Sequence, residues 1–485
     1  MSPILILFIL GSYFLMLIAV SYITGKRGDN EAFFLGNRQS PWFVVAFGMI
    51  GASLSGVTFI SVPGWVGSSQ WSYMQMVLGY LLGYLVIGAV LLPLYYRLQL
   101  TSIYTYLEGR FGTSSYKTGA SFFLLSRVIG SAFRLFLVAN VFQIAIFNNF
   151  NVPFWITILI TIALIWLYTR RNGIKTIIWT DTFQTAALLI AVVASIFMIA
   201  QALGLSLSEL PSTIAASDLS QTFFFDDARD ARFFPKQFLA GAFIAIVMTG
   251  LDQDMMQKNL TCRSLKDAQK NMFWFSLVLV FVNLLFMALG VLLYAYAEAN
   301  QITEVGDNLY PYIATQGGLG LAVGVLFMVG LVAAAYSSAD SALTALTTSF
   351  CVDILNINRF EESRKVSIRK QVHVLFSFVL FFTILIFHAI NDDSVIKAIF
   401  TVAGYTYGPL LGLYAFGLFT KRQVKDRWVP LLAVLSPIIT YALRLYVLKY
   451  FDFNIGFELL IINGAITFAG LWLLTQKPKN YAEQT

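Results

Sequence analysis

The 485-residue chain is poor in charged residues, cysteine and histidine. Charged side chains make up only 12% of it, there are two cysteines and two histidines, and 58% of the residues are hydrophobic. A soluble domain of ordinary composition is about 25% charged, so this composition excludes one. Cys262 and Cys351 fall at the ends of predicted helices on the cytoplasmic side, which argues against a structural disulfide. The few histidines and cysteines also leave no ligand spacing typical of a metal-dependent enzyme.

Long apolar runs dominate what the sequence does contain. A helix needs about 20 apolar residues to cross a bilayer, and the chain is therefore predicted to be an all-α polytopic membrane protein. The first run has neither a basic segment before it nor a small-residue cleavage site, so we expect it to be retained. The thirteen predicted spans are 4–23, 42–67, 73–96, 119–147, 152–169, 176–203, 237–257, 272–297, 317–350, 371–390, 395–419, 428–448 and 456–475.

The basic residues indicate how the chain is oriented in the membrane. Most of the 32 lysines and arginines lie in every second predicted loop, Lys258 among them. The positive-inside rule then places the N-terminus outside and the C-terminus, with a short tail over 476–485, in the cytoplasm. We expect the protein to lie in the plasma membrane, such as a bacterial inner membrane, where lipid is its partner. The net charge of +7 follows from this asymmetry and predicts no nucleic-acid partner.

One helix carries polar residues at membrane depth. The stretch 334–341 lies between two apolar runs, and a carboxylate at the bilayer centre costs about 2.5–3.5 kcal/mol, so Asp340 should face protein or water. Hard oxygen ligands on one helix face suit a hard cation such as Na⁺. Close helix packing by small residues is the alternative explanation for the serines. Successive residues of a helix are rotated by about 100° around its axis. Four polar residues of this stretch therefore share one face, namely Ser337, Ser338, Asp340 and Ser341.

Two spans contain residues that interrupt a helix. The second has three glycines and four hydroxyl residues between 48 and 61, followed by Pro63-Gly64, and the seventh is interrupted over 249–254. Backbone carbonyls freed there need a partner, which protein, water or a cation can supply. Interrupted spans at matching positions in two halves are typical of inverted-repeat transporters with a site at the repeat interface. Within one transmembrane domain over 1–485, the offset of five spans predicts repeats over 42–203 and 237–419, with one extra helix before them (4–23) and two after them (428–475).

Further polar residues lie within the predicted spans. Asp181 lies about one or two turns inside the cytoplasmic end of the sixth span. It either belongs to the cluster of polar groups within the membrane or pairs with Lys175 at the helix end. Arg127 and Arg134, seven residues apart, share one face of the fourth span, and their planar guanidinium groups match a carboxylate. Each arginine could anchor an anionic substrate or pair with a buried carboxylate of the protein. Other candidate substrate contacts are Tyr73, Gln75, Asp252, Gln253 and Tyr405.

Several of these stretches resemble the sodium:solute symporter family, which includes the sodium/glucose, sodium/proline and sodium/sialic acid cotransporters. The most specific are Ala-Ala-Tyr-Ser-Ser at 334–338 and Ile-Trp-Thr-Asp-Thr-Phe-Gln at 178–184, supported by Gln-Asp-Met-Met-Gln-Lys at 253–258. The resemblance runs over almost the whole chain. It implies the leucine-transporter-type fold of five plus five inverted repeats.

The resemblance also implies a set of sodium ligands. A second sodium, which some members bind, would use Asp181 and Ser341, with Asp340 standing where another serine is expected. The coupling stoichiometry would then be one or two Na⁺. The principal sodium site would combine the carbonyls of Gly51, Leu54 and Ala334 with the hydroxyls of Ser337 and Ser338.

For the substrate, the resemblance implies contacts near Ser55 and Thr58. Arg134 aligns roughly with the carboxylate-binding arginine of the sialic acid members, whereas Gln75 does not align with the family's substrate-binding glutamine.

Together these observations predict a sodium-driven symporter that imports a small polar organic solute, namely a sugar, a sugar acid or an amino acid. We expect it to work as a monomer, with Na⁺ as its coupling ion and no other cofactor. The same fold coupled to protons, with Asp340 or Asp181 as the carrier, is the main alternative. A membrane-embedded transferase would need paired catalytic groups or a metal cluster in its loops, and the sequence shows neither.

Overall fold

The apolar runs form helices in the computed structural model, which describes residues 3–24, 38–169, 174–390 and 395–476. A helix satisfies its own backbone hydrogen bonds, as lipid surroundings require. Seven described helices are long and apolar enough to cross a membrane, or nine if each of two bent pairs counts as one span, and five shorter apolar helices accompany them. The all-α polytopic class is confirmed, and the count of thirteen spans stays a prediction.

The first half of the chain contains nine helices among the described residues. They are α1 (Pro3–Thr24), α2 (Trp42–Ser53), α3 (Gly56–Ser69), α4 (Tyr73–Val86), α5 (Leu92–Arg97), α6 (Thr105–Arg110), α7 (Thr113–Ala145), α8 (Phe154–Thr169) and α9 (Ile174–Ala202). A π-helical turn over Ile87–Leu91 joins α4 to α5.

The second half begins with a short helix in the long loop after α9. Its helices are α10 (Leu210–Ala216), α11 (Phe234–Ala245), α12 (Gln253–Asn259), α13 (Leu265–Ala299), α14 (Leu309–Thr315), α15 (Leu321–Ser349), α16 (Glu362–Ile390), α17 (Val395–Thr406), α18 (Gly408–Phe419), α19 (Val429–Phe451) and α20 (Leu459–Leu473). Two short antiparallel strands, β1 (Gln423–Val424) and β2 (Thr475–Gln476), pair beside the last helices. Cys262 and Cys351 are both buried and free.

The break predicted in the second span is present between α2 and α3. The two helices meet at an angle of 55°. Leu54 leaves the helical conformation, with φ −86° and ψ 73°, and Ser55 is extended. The last helical hydrogen bond of α2 runs from the Leu54 N–H to the Ile50 carbonyl oxygen. The carbonyls that follow, at residues 51–54, therefore have no partner within this helix.

The break predicted in the seventh span is present as well. Here α11 continues as a π-helical turn to Gly250, and α12 then departs at 69°. Asp252 stands at the N-cap of α12, where its carboxylate accepts hydrogen bonds from the backbone N–H groups of Asp254 and Met255. A carboxylate is a favoured cap because it satisfies the unpaired N–H groups of the first turn.

The helices of the two predicted halves pack on each other reciprocally. The first span of each half, which is the broken one, contacts the second span of the other half. Thus α3 packs on α13, and α11 packs on α4. The third span of each half contacts the fifth of the other, with α15 on α9 and α7 on α17. The extra helix α1 packs on α15 and α9, and α20 packs on α18 and α19 at the periphery. This exchange of partners is what a five-plus-five inverted repeat produces.

Candidate functional site

The first helix break lies directly across the polar stretch of α15. A methyl group added at Gly51 would come within 3.2 Å of the Ser337 Oγ and 3.3 Å of the Asp181 carbonyl oxygen. It would also collide with the hydroxyl of Thr185. A methyl group added at Gly56 would lie 3.8 Å from the Cα of Ala335. The two glycines therefore allow the backbone at this break to approach α9 and α15 closely.

The facing residues of α15 supply oxygen atoms to the same place. Ala334, Ser337 and Ser338 are all at most 1% exposed. The Ser338 hydroxyl donates to the Ala335 carbonyl oxygen at 3.2 Å, and the Ser337 hydroxyl donates to the Asp181 carboxylate at 2.8 Å. Since each hydroxyl has one proton and two lone pairs, both oxygens keep lone pairs for a cation. The surroundings fit a hard cation such as Na⁺, which is bound by oxygen atoms.

A buried ion pair stands beside this break. The Lys258 Nζ lies 2.8 Å from the second carboxylate oxygen of Asp181, and both side chains are at most 1% exposed. Together with the Ser337 hydrogen bond, this pair ties α9, α12 and α15 to one carboxylate. The side chain of Lys175, the partner considered from sequence, lies outside the described residues.

The remaining candidates for a second cation site face the same lysine. Asp340 is fully buried and accepts a hydrogen bond from Ser341 at 3.3 Å. The charge of Asp340 also attracts the Lys258 ammonium group. The expectation that Lys258 lies in a cytoplasmic loop is wrong, because α12 continues past the break and buries it. The Gln253–Lys258 motif was the available signal for this role.

Arg127 is held by a second network at the break between α11 and α12. Its guanidinium forms an ion pair with Asp254, and its Nη1 lies 3.6 Å from Asp252. Tyr407, between α17 and α18, donates to the same Asp252 carboxylate at 2.6 Å. Arg127 thus pairs with these two aspartates.

A central cavity opens where the first break meets the helices of the other half. Its outline holds about 760 Å³ of space free of protein atoms, part of it open to solvent. The candidate residues on its wall are Leu54, Ser55, Thr58, Tyr73, Arg127 and Arg134.

Arg134 is the unpaired charge of this cavity. It forms no ion pair within the described ranges of the chain, and its buried Nε has no hydrogen-bond partner there. The Oδ1 of Asn283, on the same wall, is also buried and without a partner among the described residues. A donor and an acceptor are therefore available to a ligand. No sequence pattern indicates Asn283, because an isolated asparagine in an apolar helix has no spacing to identify it.

The structure places four other candidate substrate residues away from the cavity wall. The Gln75 amide donates to the Arg232 carbonyl oxygen at 2.7 Å, which fastens it to the long outer loop. Gln253 bonds the backbone at Ile103 and Thr101, at 3.0 and 2.9 Å. Asp252 is occupied as helix cap and ion-pair partner, and the Tyr405 ring packs edge-on against Tyr441.

A broken-helix inverted repeat with a polar cavity at the repeat interface defines a secondary transporter. The sequence model of the Sodium:solute symporter family matches residues 33–426, and the chain therefore belongs to that family. It is a sodium-coupled symporter of a small solute and not an enzyme.

Individual relatives agree with this assignment. The chain is 25% identical over 433 residues to a sodium/sialic acid symporter of Proteus mirabilis, covering 84% of this chain and 83% of the relative. It is 25% identical over 491 residues to a sodium/sialic acid symporter of Aliivibrio fischeri, with coverages of 93% and 90%. The human sodium/iodide cotransporter is 23% identical over 82% of this chain and 63% of its own length.

Solved structures show the same fold. A Na⁺-coupled sialic acid symporter in a substrate-bound outward-open state superimposes with a TM-score of 0.79 at 21% identity, covering 96% of this chain and 97% of the other. A nucleobase-cation-symport-1 family transporter in a closed conformation gives a TM-score of 0.58 at 14% identity, with coverages of 90% and 92%.

Proposed function

We propose that this symporter imports a small carboxylate-bearing solute through the central cavity. The observation that carries the proposal is Arg134, whose guanidinium lines the cavity and forms no ion pair within the described ranges. A guanidinium holds its charge at any physiological pH and binds a carboxylate with two parallel hydrogen bonds. Relatives named for sialic acid, iodide and monocarboxylates all transport anions by those names. A sialic acid is the first candidate, because it adds hydroxyl groups that Ser55, Thr58 and Asn283 could bind.

The principal sodium site in this proposal lies between the first break and α15. The ligands would be the Gly51, Leu54 and Ala334 carbonyls and the Ser337 and Ser338 hydroxyls. Support comes from the carbonyls at the end of α2, which have no partner within that helix, and from the close approach that Gly51 allows. Such a site would join a helix of the first half to a helix of the second.

We infer a coupling ratio of one sodium for this chain. A second sodium among Asp181, Asp340 and Ser341 would have to displace the Lys258 ammonium, which already lies 2.8 Å from Asp181. A tethered ammonium group provides the positive charge that a second ion would supply.

Sodium would couple the gradient to solute movement by bridging the two halves. Bound Na⁺ holds the broken second span against α15 and so favours the state open to the outside. Its release to the cytoplasm removes the bridge and lets the solute leave. One Na⁺ moved with one carboxylate anion carries no net charge, so the sodium concentration gradient supplies the driving force of this cycle.

The repeat boundaries, orientation and assembly complete the proposal. The repeats would run over 42–203 and 237–419, preceded by α1 and followed by α19 and α20 as peripheral additions. The chain would lie in the plasma membrane, with its N-terminus outside the cell and its C-terminus in the cytoplasm. The sodium and solute sites both lie within one chain, which supports a functional monomer.

Ser338→Ala should raise the sodium concentration for half-maximal uptake by about 10-fold or more. Losing one hydrogen-bonding or coordinating oxygen costs on the order of 1–3 kcal/mol, and about 1.4 kcal/mol corresponds to a factor of ten. The measurement is uptake against sodium concentration in proteoliposomes. Thr348→Val, which removes another buried hydroxyl from α15, serves as the matched control and should leave the sodium dependence unchanged. Identical sodium curves for Ser338→Ala and wild type would remove Ser338 from the site.

A further inference from the structure

Two arginines of α7 lie on the wall of the central cavity at different depths. Arg127 and Arg134 are seven residues apart, which puts them on one face of the helix and about 10 Å apart along its axis. Arg127 is nearer the side predicted to face the cytoplasm, and there it pairs with α12. The charge of Arg127 acts on Arg134, so a carboxylate bound to one guanidinium group is also attracted by the other.

Arg127 keeps a hydrogen-bond donor that no described residue uses. The residue is 6% exposed, and its buried Nε has no hydrogen-bond partner in the described ranges. Its two terminal nitrogens face carboxylates, since one forms the ion pair with Asp254 and the other lies 3.6 Å from Asp252. A guanidinium group has five N–H donors, so Arg127 can hold a further acceptor beside its protein partners.

The second helix break lies beside Arg127 and is closed by side chains. The Tyr95 hydroxyl donates to the Gly250 carbonyl oxygen at 2.8 Å. The Tyr104 hydroxyl donates to the Leu251 carbonyl oxygen at 3.0 Å. These two carbonyls therefore have protein partners and are not offered to a cation, which distinguishes this break from the first one.

The ion pair between α7 and α12 stands in the way of a solute that leaves past this break. Thr249 and Met255 lie on either side of the break and line the central cavity. Beyond them, α7 and α12 are joined by the pair of Arg127 with Asp254. Separating a buried ion pair leaves two uncompensated charges, so it is unfavourable unless another anion takes the place of Asp254. The solute's own carboxylate, held at Arg134, is the anion at hand.

Asp254 has a second cation within reach on its own helix. Lys258 follows it by four residues, and side chains at that spacing are neighbours on a helix surface. The charge of Asp254 already attracts the Lys258 ammonium group. Lys258 in turn is bound to Asp181, whose other carboxylate oxygen accepts a hydrogen bond from Ser337. Asp254 thus stands between the arginine of the cavity and a lysine that is tied to the proposed sodium site.

We propose that Arg127 is a second binding position for the solute's carboxylate, through which the solute leaves the central cavity. This rests on the proposed function. The carboxylate passes from Arg134 to Arg127 and replaces Asp254 there, and Asp254 turns to Lys258. The two helices can then part without leaving a buried charge alone, and they part readily only when a solute anion is present. Because Lys258 is also the partner of Asp181, the same exchange reaches the sodium site.

Uptake of radiolabelled N-acetylneuraminic acid by the full-length protein in proteoliposomes tests the proposal. Asp254→Asn leaves Arg127 without its principal counter-ion, so the solute should be held there. KM and kcat should both fall by about 10-fold, which corresponds to one hydrogen bond to a charged group. Arg127→Lys keeps the charge but loses the planar fork, so kcat should fall while sodium-dependent binding is kept. The matched control is Asp426→Asn, whose carboxylate caps the start of the same helix α7, and it should leave KM unchanged.

The double variant Arg127→Gln/Asp254→Asn separates this exchange from a purely structural pair. Both charges of the pair are then gone, and Asp252 keeps its hydrogen bond from Tyr407. Sodium-dependent binding should stay at the wild-type affinity, whereas kcat should fall by about 10-fold because the second binding position is lost.

Two results would overturn the exit position. One is a double variant that turns over at or above the wild-type rate, as expected if the pair were only a lock. The other is a fall of kcat in Asp254→Asn without the fall of KM. Absence of sodium-dependent binding by wild type is a different failure, because it contradicts the proposed function itself.

Discussion

Arg134→Gln should abolish sodium-driven uptake of N-acetylneuraminic acid, and Arg134→Lys should reduce its affinity by about 10- to 100-fold. A hydrogen-bonded charge pair contributes about 1.5–3 kcal/mol, and lysine keeps the charge but offers no planar fork for a carboxylate. The loss should be large here because Arg134 is the unpaired charge of the central cavity among the described residues. Uptake in proteoliposomes and binding calorimetry measure the two effects.

The sodium response separates this effect from misfolding. Both variants should keep the increase in thermal stability that sodium gives wild type, because Arg134 is not among the proposed sodium ligands. Tight binding of a neutral sugar, with an affinity that Arg134→Lys does not change, would contradict the proposal that Arg134 selects an anionic solute. So would a variant that still accumulates N-acetylneuraminic acid at the wild-type rate.

Lys258→Met should strongly destabilise the protein in sodium-free buffer. Removing one partner of a buried ion pair leaves an uncompensated charge and costs about 3–5 kcal/mol. Here the orphan would be Asp181, which is fully buried, with Asp340 close by. Thermal unfolding in choline chloride measures the loss. The double variant Lys258→Met/Asp181→Asn should recover most of it, because the unpaired charge is then gone.

Sodium should also recover much of the stability of Lys258→Met alone. With the ammonium group absent, the oxygens of Asp181, Asp340 and Ser341 become available to an ion. The net charge moved per solute in electrical recordings should then rise from about zero, for one Na⁺ with one carboxylate anion, towards one. Equal stability of Lys258→Met and wild type without sodium would show that the pair is not formed. An unchanged charge-to-solute ratio in a stable variant would refute the idea that lysine replaces a second sodium.

Much of the fold could be predicted because its causes are local. Apolar runs of membrane length specify helices, and the glycines and hydroxyl residues before Pro63-Gly64 weaken the helix where α2 and α3 part at 55°. The interruption at 249–254 likewise contains the actual bend before α12. The serines of α15 were assigned to one face by the helical period alone, and Ser337 does face the first break.

The rest depends on contacts between distant segments, which no local pattern reports. Gln75 has its partner in Arg232, at the far end of the long outer loop. Arg127 could be given a carboxylate partner from sequence, but its choice of Asp254 follows from how α7 packs against the second break. Lys258 is expected in a loop from sequence because it directly follows the predicted span 237–257 and precedes three further basic residues, Arg263, Lys266 and Lys270. In each case burial was decided by the helix that packs against the residue.

Accumulation of N-acetylneuraminic acid in proteoliposomes under an imposed sodium gradient at equal pH on both sides tests the central claim most directly. The account predicts uptake against the solute's concentration gradient, abolished by a sodium ionophore and by Arg134→Gln. Accumulation that follows a pH gradient without sodium, or uptake indifferent to the sodium gradient, would contradict it.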